Sequence, residues 1–338
     1  MRGVNLKKLA EELGLSISSV SKALRDSYEI SAETKKRVLA MAEKLHYQPN
    51  PFASGLRKNK SNTIAVEIPE IANNFFAVAI DGIQLVAQQK GYHVLTYLTH
   101  EDYKIEVSTI NHLQDGRVDG VLISLCGDTA SIQHLVDLHQ TGVPIVFFDR
   151  VPETMQCPTV TTDDFESGFK ATEHLILAGC KKIAYLCLSG FLSTTKNRMR
   201  GYEAALKKYE IAIDPKLIIQ CSNDNEANLV LLKKLLTKKG RPDGVFASVE
   251  KLAISTYYVC KDIKLKIPKQ LKVISFSNLR TASLLSPSLS TITQPAFEIG
   301  KESAELLFRM IKKNNLGNRV DDKVLKSTLI ERESSAST

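Results

Sequence analysis

The chain has 338 residues, 43% hydrophobic and 24% charged, an ordinary balance for a globular protein and enough length for two or three domains. No apolar run approaches the roughly 20 residues of a membrane span. The opening MRGVNLKKLAEELG has no apolar h-region, so secretion is not expected and a cytoplasmic location is.

The charge is uneven. Through Lys60 there are 12 Lys/Arg against 6 Asp/Glu, and the remaining 278 residues carry 33 against 31, so most of the formal +8 lies in the first sixth of the chain. A basic module on a near-neutral body points to local contact with a polyanion, although a solvated surface has the same composition. The six cysteines (126, 157, 180, 187, 221, 260) form no CxxC pair and read as buried thiols in a reducing compartment.

The first elements are three short helices. Leu6, Leu9, Ala10 and Leu13 share a helix face, Asn5 is placed to cap it, and Gly14 ends it. Ser16 caps a second helix with Val20 and Leu24 inward. Ser31 caps a third, with Val38, Met41, Ala42 and Leu45 at helical spacing. Two helices joined by a tight turn form a helix-turn-helix. The second leaves Ile17, Ser18, Ser21 and Lys22 off its buried face, where such side chains reach base edges and phosphates in a major groove. A structural three-helix corner would show the same spacing.

QPNPFASGLRKNKS follows as a linker, with two prolines and a glycine; a short helix containing Gly55 would be marginal alone in water. From Ile64 onward, β-like runs alternate with amphipathic helices. IAVEI, HVLTYL, GVLIS and IVFFD alternate with helices near 76–90, 104–114 and 129–141. IAYLCL, LIIQC, GVFASV and KVISFS alternate with helices near 165–178, 197–209, 226–238 and 250–262. Two such sets predict two doubly wound subdomains built on parallel sheets, with a ligand cleft at the carboxyl ends of the strands. There is no GxSxG, HExxH, P-loop or GxGxxG pattern, so no enzyme activity and no cofactor is expected. The seven histidines show no metal spacing. Asp163–Asp164 reads as a helix cap.

The chain resembles the lactose/galactose repressor (LacI/GalR) family of bacterial transcription regulators. The resemblance rests on VNLKKLAEELGLSISSVSKALR and SAETKKRVLAMAEKLHYQPNPFASGLR. It continues through IPEIANNFF, GYHVL, VDGVLIS, TGVPIVFFDR, TEHLILAGCKKIAYL, RMRGYEAAL, PDGVFAS, VISFS and LSTITQP. It implies a helix-turn-helix domain over 1–48 and a hinge over 49–61. It also implies a periplasmic-binding-protein-like core whose subdomains span 62–161 with 292–322 and 162–291 with 323–333. The chain would cross between them near Thr162, Thr291 and Lys323.

The same resemblance implies a homodimer on a pseudo-palindromic double-stranded DNA operator. The Asn5, Ser16, Ile17, Ser18, Ser21 and Lys22 positions would serve the major groove. Asn50, Ala53, Leu56 and Arg57 would serve the hinge, with Leu56 as a minor-groove wedge. For a small-molecule effector it implies Phe75, Phe76, Ser124, Asp149, Arg198, Asn223, Val249 and Ser277. Arg198 is the group expected to grip a hydroxyl pair, a carboxylate or a phosphate. Where family members carry Asn-Asp this chain has Val249–Glu250, and where they carry Gly-Phe-Asp-Asp it has Ser275–Phe276–Ser277–Asn278. Those departures predict an anionic or partly apolar effector rather than a plain hexose. Two alternatives compete: a transport binding protein, which a DNA head disfavours, and a core that docks a protein co-regulator instead of a metabolite. The ending SSAST carries no heptad tail, so no tetramer is expected.

Overall fold

The computed structural model describes residues 5–45, 47, 60–114, 117–314, 316 and 321–336. The chain divides into two compact units, residues 1–61 and 62–338.

The first unit contains α1 (Leu6–Leu13), α2 (Ile17–Leu24) and α3 (Ala32–Lys44). Each starts on a side-chain cap: Asn5 accepts from the Lys8 amide, Ser16 from Ser19 and Ser31 from Thr34. Gly14 sits at φ +61°, and the amides of Gly14 and Leu15 both return to the end of α1, which fixes the turn into α2. Leu9, Ala10, Leu13, Val20, Ala23, Val38 and Ala42 close one small core. The expected hinge residues Asn50, Ala53, Leu56 and Arg57 lie outside the described residues.

The second unit holds two six-stranded sheets. The first comprises β1 (Thr63–Ile68), β2 (His93–Leu98), β3 (Gly120–Ile123), β4 (Ile145–Phe148), β5 (Thr159–Thr162) and β11 (Lys323–Leu325), in the order β11-β5-β4-β3-β1-β2, all parallel. The second comprises β6 (Ile183–Cys187), β7 (Ile218–Gln220), β8 (Gly244–Ala247), β9 (Lys272–Phe276), β10 (Ser290–Thr293) and β12 (Thr328–Ile330), in the order β12-β10-β9-β8-β6-β7. Only β12 runs antiparallel there.

Helices cover both faces of each sheet, as near-continuously apolar strands require. On the first sheet, α4 (Asn74–Gln89) and α11 (Ala296–Lys313) share one core, and α5 (Tyr103–Leu113) and α6 (Gln133–Gln140) the other. On the second, α7 (Asp164–Leu177) and α8 (Ser193–Lys208) pack on one face and α9 (Asn225–Thr237) and α10 (Glu250–Asp262) on the other. Two helix pairs meet through glycines. A Cβ on Gly300 would overlap the Ala79 carbonyl, and one on Gly201 the Phe165 carbonyl.

The strand positions correct two expected boundaries. Residues 292–293 belong to β10 of the second sheet, and β11 pairs with β5 in the first, so the last crossing falls between Leu325 and Thr328 rather than at Lys323. The expected helix at 129–141 begins only at Gln133, because the 126–130 segment is held as a loop by the Glu106 carboxylate. Among the described residues no helix is long and apolar enough to cross a membrane.

Candidate DNA-reading head and ligand cleft

On the head, Ser16, Ile17 and Ser18 are exposed at the start of α2, with Ile17 at 42% despite its apolar side chain. Ser21 and Lys22 are half-buried one turn on. The Lys22 ammonium is not free: it pairs with Glu29. Ser21 Oγ accepts a 3.1 Å bond from Arg25. Asn5 and Ser16 are engaged as caps, so their contribution to a groove contact is to orient the helices' first turns. Tyr28, 94% exposed after α2, carried no periodicity and was not anticipated.

In the core, the first and second sheets point their strand ends at one another. The β1–α4 turn supplies Asn73, and the β4 end supplies Asp149, at φ +58°, and Arg150. From the second subdomain come Leu188 after β6, Arg198 on α8, Val249 and Glu250 after β8, and Ser277 and Asn278 after β9. These surround a central cavity of only about 40 Å³, lined also by Phe75, Phe76, Phe276 and Gln294. Two larger recesses open beside it. One of about 530 Å³ is lined by Glu70, Glu226, Glu250, Lys251 and Tyr258, the other of about 540 Å³ by Glu101, Asp128, Phe191, Ser222 and Asn223. Arg150 and Leu188 border all three.

Arg198 is committed within the protein. Its Nε donates to Asp164 Oδ1 at 2.7 Å, its Nη1 to the Ser248 carbonyl at 2.7 Å, and the guanidinium lies 3.7 Å over the Phe276 ring. The close approach of α7 to α8 at Gly168 and Gly201 puts Asp164 one turn from Gly168, opposite Arg198. Burial pushes the Asp164 carboxyl up to about 6 against the pull of Arg198. The cation expected to grip an effector thus has partners within the protein while also lining the central cavity. The pairing also corrects the reading of Asp163–Asp164 as simple caps: Asp163 instead accepts from Ser167 Oγ and the Ser327 amide. Arg150 is likewise occupied, its Nη1 donating to both Glu101 oxygens at 2.9 and 3.0 Å.

Other expected positions divide. Phe75 and Phe76 are buried in the first core, meeting edge to face at 5.2 Å, and present only part of their rings to the cavity. Asp149 accepts from Gln294 Nε2 at 3.2 Å. Asn223 borders the larger recess and accepts from Lys251 at 3.0 Å. Ser124 borders none of these three spaces; it is fully buried just past β3, where its amide continues the ladder to the Glu67 carbonyl and its Oγ has no hydrogen-bond partner. Val249 lines the cavity but offers it no hydrogen bond, as expected of valine. Ser277 is not an isolated weak group: its hydroxyl donates to Glu250 Oε2 at 2.6 Å. Glu250 therefore brings a carboxylate to the cavity one position beyond the valine, which the sequence reading missed.

Beneath the first sheet's strand ends lies a second buried cluster. Glu106 accepts from the Cys126 amide at 2.9 Å and from Thr129 at 3.0 Å, with His134 Nε2 3.2 Å away. Glu67 is fully buried nearby with neither carboxyl oxygen hydrogen-bonded. Burial, reinforced by Glu106, lifts its pKa to about 9. Among the described residues no group of three His, Cys, Asp or Glu is placed to hold a metal ion.

Comparison with known proteins supplies the remaining findings. Residues 5–50 match the family model "Bacterial regulatory proteins, lacI family", and residues 61–332 match "Periplasmic binding proteins and sugar binding domain of LacI family". The chain is 30% identical over 332 residues to the ribose operon repressor of Haemophilus influenzae, covering 97% of this chain and 98% of that protein. It is 28% identical over 320 residues to catabolite control protein A of Priestia megaterium, covering 94% and 95%. Its fold matches the lac repressor dimer bound to operator and the anti-inducer ONPF with a TM-score of 0.83 at 20% identity, over 99% of this chain and 100% of that one.

Proposed function

The chain belongs to the lacI family of bacterial regulatory proteins, and from that premise we propose how it works as a sequence-specific repressor of a metabolic operon. It acts in the cytoplasm as a homodimer on a pseudo-palindromic operator. One short head grips one half-site, and two heads are needed for the affinity and length of a regulatory site. Ile17 and Ser18, exposed on the capped start of α2, read base edges, and Lys22 leaves Glu29 for a base or phosphate. Leu56 and its neighbours act in the minor groove of a central, deformable step.

The core responds to a small molecule at the cleft between its subdomains. The observation that carries its chemistry is the Arg198–Asp164 pair. With that cation and Arg150 each already paired with a carboxylate of the protein, the carboxylates of Asp149 and Glu250 add acceptors to the centre. The effector is thus rich in hydrogen-bond donors, such as a polyol or sugar, rather than an anion. The name of one relative, the ribose operon repressor, fits that class. Anisotropy titration of the full chain onto a duplex selected from a random pool, with ribose, cellobiose or inorganic phosphate added, tests this. A sugar should shift the midpoint and phosphate should not; a shift by phosphate alone would contradict it.

A second reading has one observation in its favour. The central cavity is small, about 40 Å³. A centre this small suits a regulator whose affinity is set by a docked protein. Failure of every metabolite to move the operator midpoint would favour it.

A further inference from the structure

We propose that Glu250 is the latch that holds the two core subdomains closed, and that it decides which ligands enter the cleft. Its carboxylate accepts from Asn74 Nδ2 at 2.6 Å through Oε1 and from Ser277 Oγ at 2.6 Å through Oε2. Asn74 opens α4 in the first subdomain, whereas Glu250 and Ser277 belong to the second, so one bond spans the cleft and the other fixes the carboxylate. The Ser277 hydroxyl is itself oriented, accepting from the Leu279 amide at 3.0 Å while it donates to Glu250.

Among the described residues other contacts also cross between the subdomains: Gln294 Nε2, just past β10, donates to Asp149 at 3.2 Å beside the strand crossover, and the rest lie toward the rim. Ser189 Oγ donates to the Gly127 carbonyl at 2.6 Å, and Ser193 Oγ accepts from the Val151 amide at 3.2 Å; both are neutral hydrogen bonds. Lys196–Glu153 at 2.7 Å and Lys251–Glu70 at 3.9 Å are partly exposed ion pairs, a class that contributes little in water. The Asn74–Glu250 bond is charge-assisted and part-buried, on a carboxylate that lines the central cavity.

The consequence for ligands follows from what Glu250 can accept. A molecule entering the centre must take over from Asn74 and Ser277 as donor to the carboxylate, because leaving it unpaired costs its desolvation. Two adjacent hydroxyl or amine groups meet that demand, and an anion does not. This rests on the cleft being the effector site, but the closure itself does not depend on DNA binding.

The test measures closure directly. All six cysteines are buried, so spin labels can be directed to Lys104→Cys on α5 and Val230→Cys on α9. Pulsed dipolar spectroscopy on the ligand-free, DNA-free full chain should give one narrow distance. Glu250→Ala and Asn74→Ala should each lengthen and broaden it. The double variant should go no further than either single one, and Glu250→Gln, which still accepts from Asn74 but only as a neutral group, should open the distance less than Glu250→Ala. A carboxylate that served only the first turn of α10 would give no effect of Asn74→Ala, or additive effects, and either result overturns the latch. An open distance in the unsubstituted core also overturns it. Operator affinity should change at least fivefold in Glu250→Ala; an unchanged affinity with a shifted distance would strip the latch of its regulatory role. Failure of any variant to bind DNA at all would count against the repressor reading and leave the distances to judge the latch.

Discussion

The Arg198 guanidinium and the Asp164 carboxylate are joined at 2.7 Å, both side chains almost wholly buried, where α8 meets α7. Removing one partner of such a pair strands the other charge in the interior. Arg198→Ala should destabilise the core by about 3–5 kcal/mol, and Asp164→Ala by a similar amount, measured by urea unfolding. Replacing both by apolar groups should recover much of the loss. A loss below about 1 kcal/mol for either single variant would show that the pair is not a structural tie. Loss of effector response in Arg198→Ala is therefore not by itself proof of ligand contact.

Glu67 makes stability depend on pH in a defined direction. Its folded pKa of about 9 lies above the ordinary 4.5, so the folded state holds the proton more tightly than the unfolded chain. The unfolded state then binds fewer protons between those values, and stability falls as pH rises from about 4.5 to about 9. Glu67→Gln keeps the shape and removes the titration. Relative to the unsubstituted protein it should gain about 1 kcal/mol or more between pH 6 and pH 8, read from urea midpoints. Parallel pH profiles for the two proteins would contradict the assignment.

Gly300 and Gly82 let α11 and α4 touch backbone to backbone. A Cβ on Gly300 would meet the Ala79 carbonyl, and one on Gly82 the Phe297 carbonyl, with no flexible side chain to yield. Gly300→Ala should cost about 1–3 kcal/mol by thermal or urea unfolding. A neutral result would mean that the helices separate without penalty.

In the head, a cap and an exposed reading residue should separate stability from recognition. Ser16→Ala removes the acceptor for the Ser19 amide and should lower head stability by about 1 kcal/mol. Ser18→Ala, fully on the surface, should leave stability unchanged and weaken operator binding more than random-DNA binding. Equal losses of both kinds of binding would remove Ser18 from base reading.

Much of this fold was legible because buried parallel strands advertise themselves as apolar runs. IAVEI, GVLIS and IVFFD each became a buried strand, and the three caps Asn5, Ser16 and Ser31 fell where spacing put them. The 18-residue α11 was passed over, although Ile299, Ser303, Leu306, Leu307 and Met310 mark a helical face once it is known to pack on β3 and β4. β11 and β12 are three residues each, too short for periodicity to assign them to a sheet. The cleft was less legible. Whether Arg198 is free depends on Asp164, 34 positions away, and whether Ser277 matters depends on Glu250, 27 positions away. Pairings of that kind are products of topology. The one usable signal was that Glu250 keeps an acidic residue at the second position of the pair that family members carry as Asn-Asp.

The central claim is sequence-specific recognition by paired heads, and selection of the full chain on a random duplex pool tests it most directly. The account predicts recovery of one motif with dyad symmetry, its half-sites bound by a dimer, and a loss of that preference in an Ile17→Ala, Ser18→Ala variant that still binds random DNA at low salt. Recovery of no motif, or of a motif without dyad symmetry bound by a single chain, would contradict it.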